Sequence, residues 1–250
     1  MLDGVRLFNP IGAEELSALS EFWKRNDYIW VKNALTTDAI ESLRQRLTFE
    51  QLNALQDKRQ FHRAHNDDSC RAFVEKFLLA SEAFYETVLS VDLLPTYGFA
   101  MKYIKNSDMD PHYDNLHNPI SSTVCYHFTS DGMTNPLLLD KARFANPYTQ
   151  RMTVKDKAGI PSGNVVSMDL APGDIAAFRG RNHLHWRNPI AGDMDYRAVL
   201  LHFSDFKYKN IVVKGQPIPH VIDSLVDVDS YDRFRETYAM YFEQNGLDWV

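Results

Sequence analysis

The chain has 250 residues, 44% of them hydrophobic and 24% charged, a globular composition long enough to bury one large core or two small ones, which excludes intrinsic disorder and fibrous repeats. Its 27 Lys and Arg against 33 Asp and Glu leave a formal net charge of -6, a balance that disfavours the phosphate-backbone attraction behind nucleic-acid binding. Two cysteines cannot make a disulfide framework, and Cys125 stands in an apolar run where a buried free thiol is the commoner state, so a reducing, cytoplasmic compartment is expected.

Met1 to Ala13 carries Asp3 and Arg6 among scattered apolar residues and lacks the continuous apolar core of an export signal. No stretch approaches the roughly 18 apolar residues of a membrane span. Ala13 to Arg25 places Leu16, Leu19, Phe22 and Trp23 three and four apart, which predicts an amphipathic helix. A short strand is expected at Tyr28 to Val31, then N-cap candidates in Thr36-Thr37-Asp38, with Ile40, Leu43 and Leu47 forming one helical stripe. A third helix is expected over Asp68 to Leu89, carrying Phe73, Phe77, Leu78 and Phe84.

From about Tyr97 the pattern changes to short β-type runs separated by Pro, Gly, Asn and Asp: Gly98 to Ile104, Ser122 to Phe128, Asn164 to Leu170, Asp174 to Phe178 and Tyr196 to Phe203. Strands with long loops and no alternating helices favour a jelly-roll or sandwich over a doubly wound sheet. The aromatic-rich Ser230 to Gln244 predicts a C-terminal helix returning to cover the sheet. The expectation is therefore one mainly β domain with flanking helices: a helical buttress over 1–95, a jelly-roll core over 96–206 and a C-terminal extension over 207–250.

Nine histidines are unevenly spread, and two places combine ligand-type residues: His112-Tyr113-Asp114 and His183-Leu184-His185. In extended backbone, residues i and i+2 share a face, so His112 and Asp114 can aim at one point, and a single distant His would complete three ligands. Two His nitrogens and one carboxylate form the facial triad of non-haem Fe(II) oxygenases, although His-x-Asp alone also occurs in solvated loops. Downstream, Tyr196 to Phe203 reads as a strand apolar on both faces apart from Arg197 and His202. Arg197 shares its face with Val199 and Leu201, so a buried guanidinium there needs a carboxylate, either a bound dicarboxylate or an internal acid such as Asp193 or Asp195, unless the Arg face opens to solvent at the strand's end.

These residues resemble the Fe(II)/2-oxoglutarate-dependent dioxygenases, within them the prolyl-4-hydroxylase-like branch. The likeness spans roughly Tyr97 to Phe206. It rests on the strand Tyr103, polar turn and Pro111-His112-Tyr113-Asp114, then on the Pro172-Gly173-Asp174 turn, Phe178, His185, Pro189, Gly192 and Arg197. The resemblance implies a double-stranded β-helix, with His112, Asp114 and His185 as iron ligands and Arg197 gripping the far carboxylate of 2-oxoglutarate. His185 is preferred to His183 for its distance to Pro189. Tyr103 corresponds to the family's co-substrate tyrosine, although packing beside Phe99 and Met101 is an equally physical role, and either Tyr126 or His127 matches a second co-substrate position.

The chain departs from the branch in a longer interval between His185 and Arg197, and in Asp131 to Gln150, a long loop in place of the branch's Gly-Gly-x-Thr segment. The implied activity is Fe(II)-, 2-oxoglutarate- and O2-dependent hydroxylation or desaturation of an unactivated C–H bond, since Asp114 fills the position that halogenating relatives leave to a small residue. A small-molecule substrate is expected, such as a free amino acid or a biosynthetic intermediate. Peptidyl proline, and a cupin-like metal or ligand-binding protein without 2-oxoglutarate chemistry, are the alternatives. Oligomeric state is left open, a homodimer included. His62 and His65 could contribute to a zinc site, but no third ligand lies at a recognisable spacing.

Overall fold

In a computed structural model, residues 2, 4–49, 61–63, 68–114, 119–143, 162–190, 192–205, 212–213 and 216–217 are described. The expected helix at Ser230–Gln244 and the side chains of His62 and His65 lie outside the described residues.

Helix α1 covers Ala13–Asn26, with Glu14 and Glu15 in its first turn and Lys24 and Arg25 in its last, as the helix dipole favours. Asp27 ends it in the left-handed region at φ 60°. Strand β1, Tyr28–Val31, leads to α2, Thr37–Arg46, whose N-cap Thr36 accepts the Ala39 N–H at 3.1 Å. Beyond β2, Phe61–Arg63, helix α3 runs Asp68–Leu89. No helix among the described residues is long and apolar enough to cross a membrane.

The remaining strands are β3 Leu93–Tyr103, β4 Met109–His112, β5 Ile120–Ser130, β6 Leu137–Arg143, β7 Val165–Met168, β8 Ile175–Phe178, β9 His183–Arg187, β10 Met194–Asp205, β11 Val212–Val213 and β12 Gln216–Pro217. They form an antiparallel six-stranded sheet, β1-β8-β5-β10-β3-β2, and a four-stranded one, β4-β9-β6-β7, with β11 and β12 paired separately. The fold is thus mainly β with flanking helices, a jelly-roll in which two sheets face one another. The Asp131 to Gln150 segment is not all loop: Leu137–Arg143 make β6, with Leu137 and Leu139 in the core between the sheets.

Two apolar layers result. Met101, Tyr103, Cys125, Leu137, Leu139, Met168, Ala176, Phe178, Tyr196 and Ala198 fill the space between the sheets. The other face of the six-stranded sheet, including Val124, Tyr126, Ala177, Val199, Leu201 and Phe203, packs on Trp23, Leu43, Phe77 and Leu78 of the helices. Gly98 lets α3 lie close, because a Cβ there would stand 3.0 Å from Val74 and 3.1 Å from the Leu200 carbonyl.

Candidate metal centre

Strands β4 and β9 pair so that His112 lies opposite His185, and the chain leaving β4 brings Asp114 to the same point. One ligand atom from each of the three residues lies within 4.8 Å of the others. Asp114 Oδ1 is 3.7 Å from His112 Nε2 and 3.6 Å from His185 Nε2.

The surroundings orient each ligand atom. His112 Nδ1 contacts the Asp110 carbonyl at 2.7 Å, and His185 Nδ1 the His183 carbonyl at 3.0 Å. A carbonyl can only accept, so Nδ1 carries the hydrogen in both rings and each Nε2 turns a lone pair towards the centre. Asp114 Oδ2 accepts the Ser121 hydroxyl at 2.5 Å, which leaves Oδ1 facing the histidines. The Asp114 backbone is fixed by its N–H to the Gly180 carbonyl at 2.9 Å and by Arg181 Nη1 donating to its own carbonyl at 2.9 Å. Gly180 is itself required, because a Cβ there would overlap Asp114 Oδ2. Burial alone would push the Asp114 carboxyl up, but the positive charge that His185 and His112 carry when they are protonated at Nε2 as well outweighs it and holds the group well below the usual carboxylate range. The donor set, two imidazoles and an ionised carboxylate backed by second hydrogen bonds, suits a divalent first-row metal such as Fe(II).

The turn after β8 delivers the distal histidine. His183 N–H donates to the Arg179 carbonyl at 3.0 Å, and the Phe178 ring lies 4.7 Å from that of His185. His183 is not in the cluster; it is fully buried, with Nδ1 on the Asp140 carbonyl at 2.8 Å, and burial pushes its pKa down. The Pro-Gly-Asp turn is structural: Gly173 has φ 98°, and Asp174 accepts from Trp30 Nε1, Asn33 N and Ala171 N. Trp186, between His185 and Arg187, lies opposite Leu138 on the other face of β9.

Of the expected co-substrate residues, Tyr103 alone lies between the sheets, 1% exposed and edge-on to Tyr196. Arg197 does not. It shares a face with Val199 and Leu201 as expected, but that face meets the helices. There Arg197 makes a two-point pair with Asp195, Nε to Oδ1 at 2.9 Å and Nη2 to Oδ2 at 2.7 Å. The internal acid Asp195 is thus a partner of Arg197. Tyr126 and His127 are also displaced. A bulge in β5 opposite Arg197 and Ala198 puts Tyr126 in the helix-side core and aligns His127 with Arg197. Cys125 and Phe128 are the neighbours that turn inward.

The inward residue at the start of β10 is Tyr196, and the buried guanidinium between the sheets is that of Arg187, 1% exposed. Sequence reasoning passed over Arg187, although it stands two residues after His185 and therefore on its face.

No family model matches this chain, and no curated protein does. Solved structures match most of its length. HygX from Streptomyces hygroscopicus, solved with nickel and 2-oxoglutarate, is 11% identical over 78% of this chain and 88% of its own, at a TM-score of 0.53. The epimerase SnoN, solved with Fe3+, alpha ketoglutarate and nogalamycin RO, is 15% identical over 76% and 85%, at 0.54. A Pseudomonas putida prolyl-4-hydroxylase is 11% identical over 75% and 97%, at 0.50. The likeness establishes the fold: the chain is built on the jelly-roll of these proteins.

Proposed function

We propose that this protein is an Fe(II)- and 2-oxoglutarate-dependent oxygenase that hydroxylates an unactivated C–H bond of a small molecule, such as a free amino acid or a biosynthetic intermediate. The observation that carries the reading is the His112, Asp114 and His185 cluster, with each imidazole held at Nδ1 by a backbone carbonyl and each Nε2 turned to one carboxylate oxygen. These three residues hold the iron. The metal, together with 2-oxoglutarate and O2, supplies the oxidising power that no side chain has.

The protein's own part is positioning. Ser121 and Gly180 fix the carboxylate so that one oxygen is offered to the metal. Phe178 walls the distal histidine, and the apolar layer between the sheets keeps bulk water from the inner end of the site. HygX solved with hygromycin B and SnoN solved with nogalamycin RO support a small molecule as the substrate class. Cys70 and Cys125, both buried and neither in a disulfide, and the acidic balance agree with a cytoplasmic enzyme that does not act on nucleic acid.

Anaerobic titration of the Fe(II)-loaded protein with 2-oxoglutarate tests the reading. A weak visible metal-to-ligand charge-transfer band is expected in wild type and should vanish in His112→Ala and His185→Ala. Its absence from well-folded, iron-loaded wild type would favour a cupin-like metal protein instead.

A further inference from the structure

Arg187 is the most deeply buried permanently charged side chain among the described residues, at 1% exposure. Its Nη1 donates to the Asn135 carbonyl and its Nη2 to the Tyr196 hydroxyl at 3.1 Å. Its guanidinium carbon stands 4.5 Å from the centre of the Tyr196 ring and 5.3 Å from that of Tyr103. All of these partners are neutral, and no carboxylate among the described residues pairs with it. A guanidinium cannot shed its proton to escape burial, and hydrogen bonds to a carbonyl and a phenol leave its charge uncompensated. Arg197, by contrast, already has its anion in Asp195.

Its position points to the class of anion that would compensate it. Arg187 follows His185 by two residues on β9, so both side chains leave the same face about 6–7 Å apart along the strand. Small side chains of the facing sheet, Cys125, Ala176 and Ala198, share that inner layer. An extended five-carbon 2-oxo diacid has its keto acid and its second carboxylate separated by a span of that order. We propose that Arg187 holds the carboxylate of 2-oxoglutarate remote from the metal, with Tyr196 aligning the guanidinium. The co-substrate anchor then lies on the strand of the distal histidine instead of at Arg197 on β10. The proposal rests on the oxygenase reading above.

The test is calorimetric and needs no turnover. Protein loaded with Mn(II) under nitrogen is titrated with 2-oxoglutarate and with 2-oxopentanoate, which has the same carbon count but lacks the second carboxylate. Wild type should prefer the diacid by about 30- to 100-fold, the range of charge-assisted hydrogen bonds. Arg187→Met should bring the two acids within about threefold while its Mn(II) affinity, measured without either acid, stays at the wild-type value. Arg187→Lys keeps a buried charge without the planar fork and should lose about tenfold of the preference, which covers the case in which the Met variant does not fold. Arg197→Met should keep the full preference. Retention of the preference in the Arg187 variants, or its loss in Arg197→Met, would overturn the proposal while leaving the oxygenase reading intact. Mn(II)-loaded wild type that binds neither acid would overturn both.

Discussion

Asp114 depends on groups outside the candidate metal cluster. Ser121 takes one carboxylate oxygen, the Gly180 carbonyl takes the backbone N–H, and the missing side chain at Gly180 leaves the space that the carboxylate fills. Outer partners of this kind typically change metal affinity by about 10- to 100-fold. Gly180→Ala must therefore turn the carboxylate aside. Metal titration of that variant should give binding weakened by about tenfold or more, with an unchanged far-UV circular dichroism spectrum. The His-x-Asp spacing announced that His112 and Asp114 converge because alternation puts i and i+2 on one face. The need for Gly180 and Ser121 was not legible, since both reach Asp114 through contacts across the barrel.

At the level of the strand, β10 sets which face Arg197 takes. Its even-numbered Met194, Tyr196 and Ala198 face the opposite sheet, while Val199, Leu201 and Phe203 face the helices, and Arg197 falls with the latter. The pattern revealed which residues share a face; it could not reveal which face is the inside, because both faces are buried and apolar. The bulge in β5 is likewise a pairing event with no composition signal, and it moves both Tyr126 and His127 to the helix side.

The pair on that side has a pH signature. Burial raises the Asp195 carboxyl, but Arg197 and Lys102 outweigh it and hold it below its ordinary value; Arg44 and His127 are the other titratable groups nearby. A depressed folded-state value means that the pair stabilises above the unfolded pKa, about 3.9, and that this is lost as pH falls through the lower folded value. Asp195→Asn should cost about 1 kcal/mol or less at pH 7, because the pair is partly exposed. Its melting temperature should then fall less than that of wild type between about pH 5 and pH 3.

Across the whole molecule, the helices and the barrel share one buried layer. Phe77 is fully buried in the cluster that joins α3 to Val199, Leu201 and Phe203 of β10. Removing it leaves a cavity at this shared layer, so Phe77→Ala should destabilise by about 3–5 kcal/mol. Thermal unfolding followed by circular dichroism and by release of bound metal should shift together, since β10 closes the inner core with its other face.

The sequence by itself determined the three helices, the change to strands near residue 97 and the two segments that supply the His112, Asp114 and His185 cluster. Each of these is written in local periodicity, in capping at Thr36 and in i, i+2 spacing. The tertiary structure alone decided what surrounds that cluster. Sheet pairing sets His185 opposite His112, a bulge puts Tyr126 and His127 on the helix side, and the order of the two layers turns Arg197 outward and leaves Arg187 inside. A strand buried on both sides carries no mark of which side faces the cavity, and that is settled only when a second sheet and a helical layer close upon it.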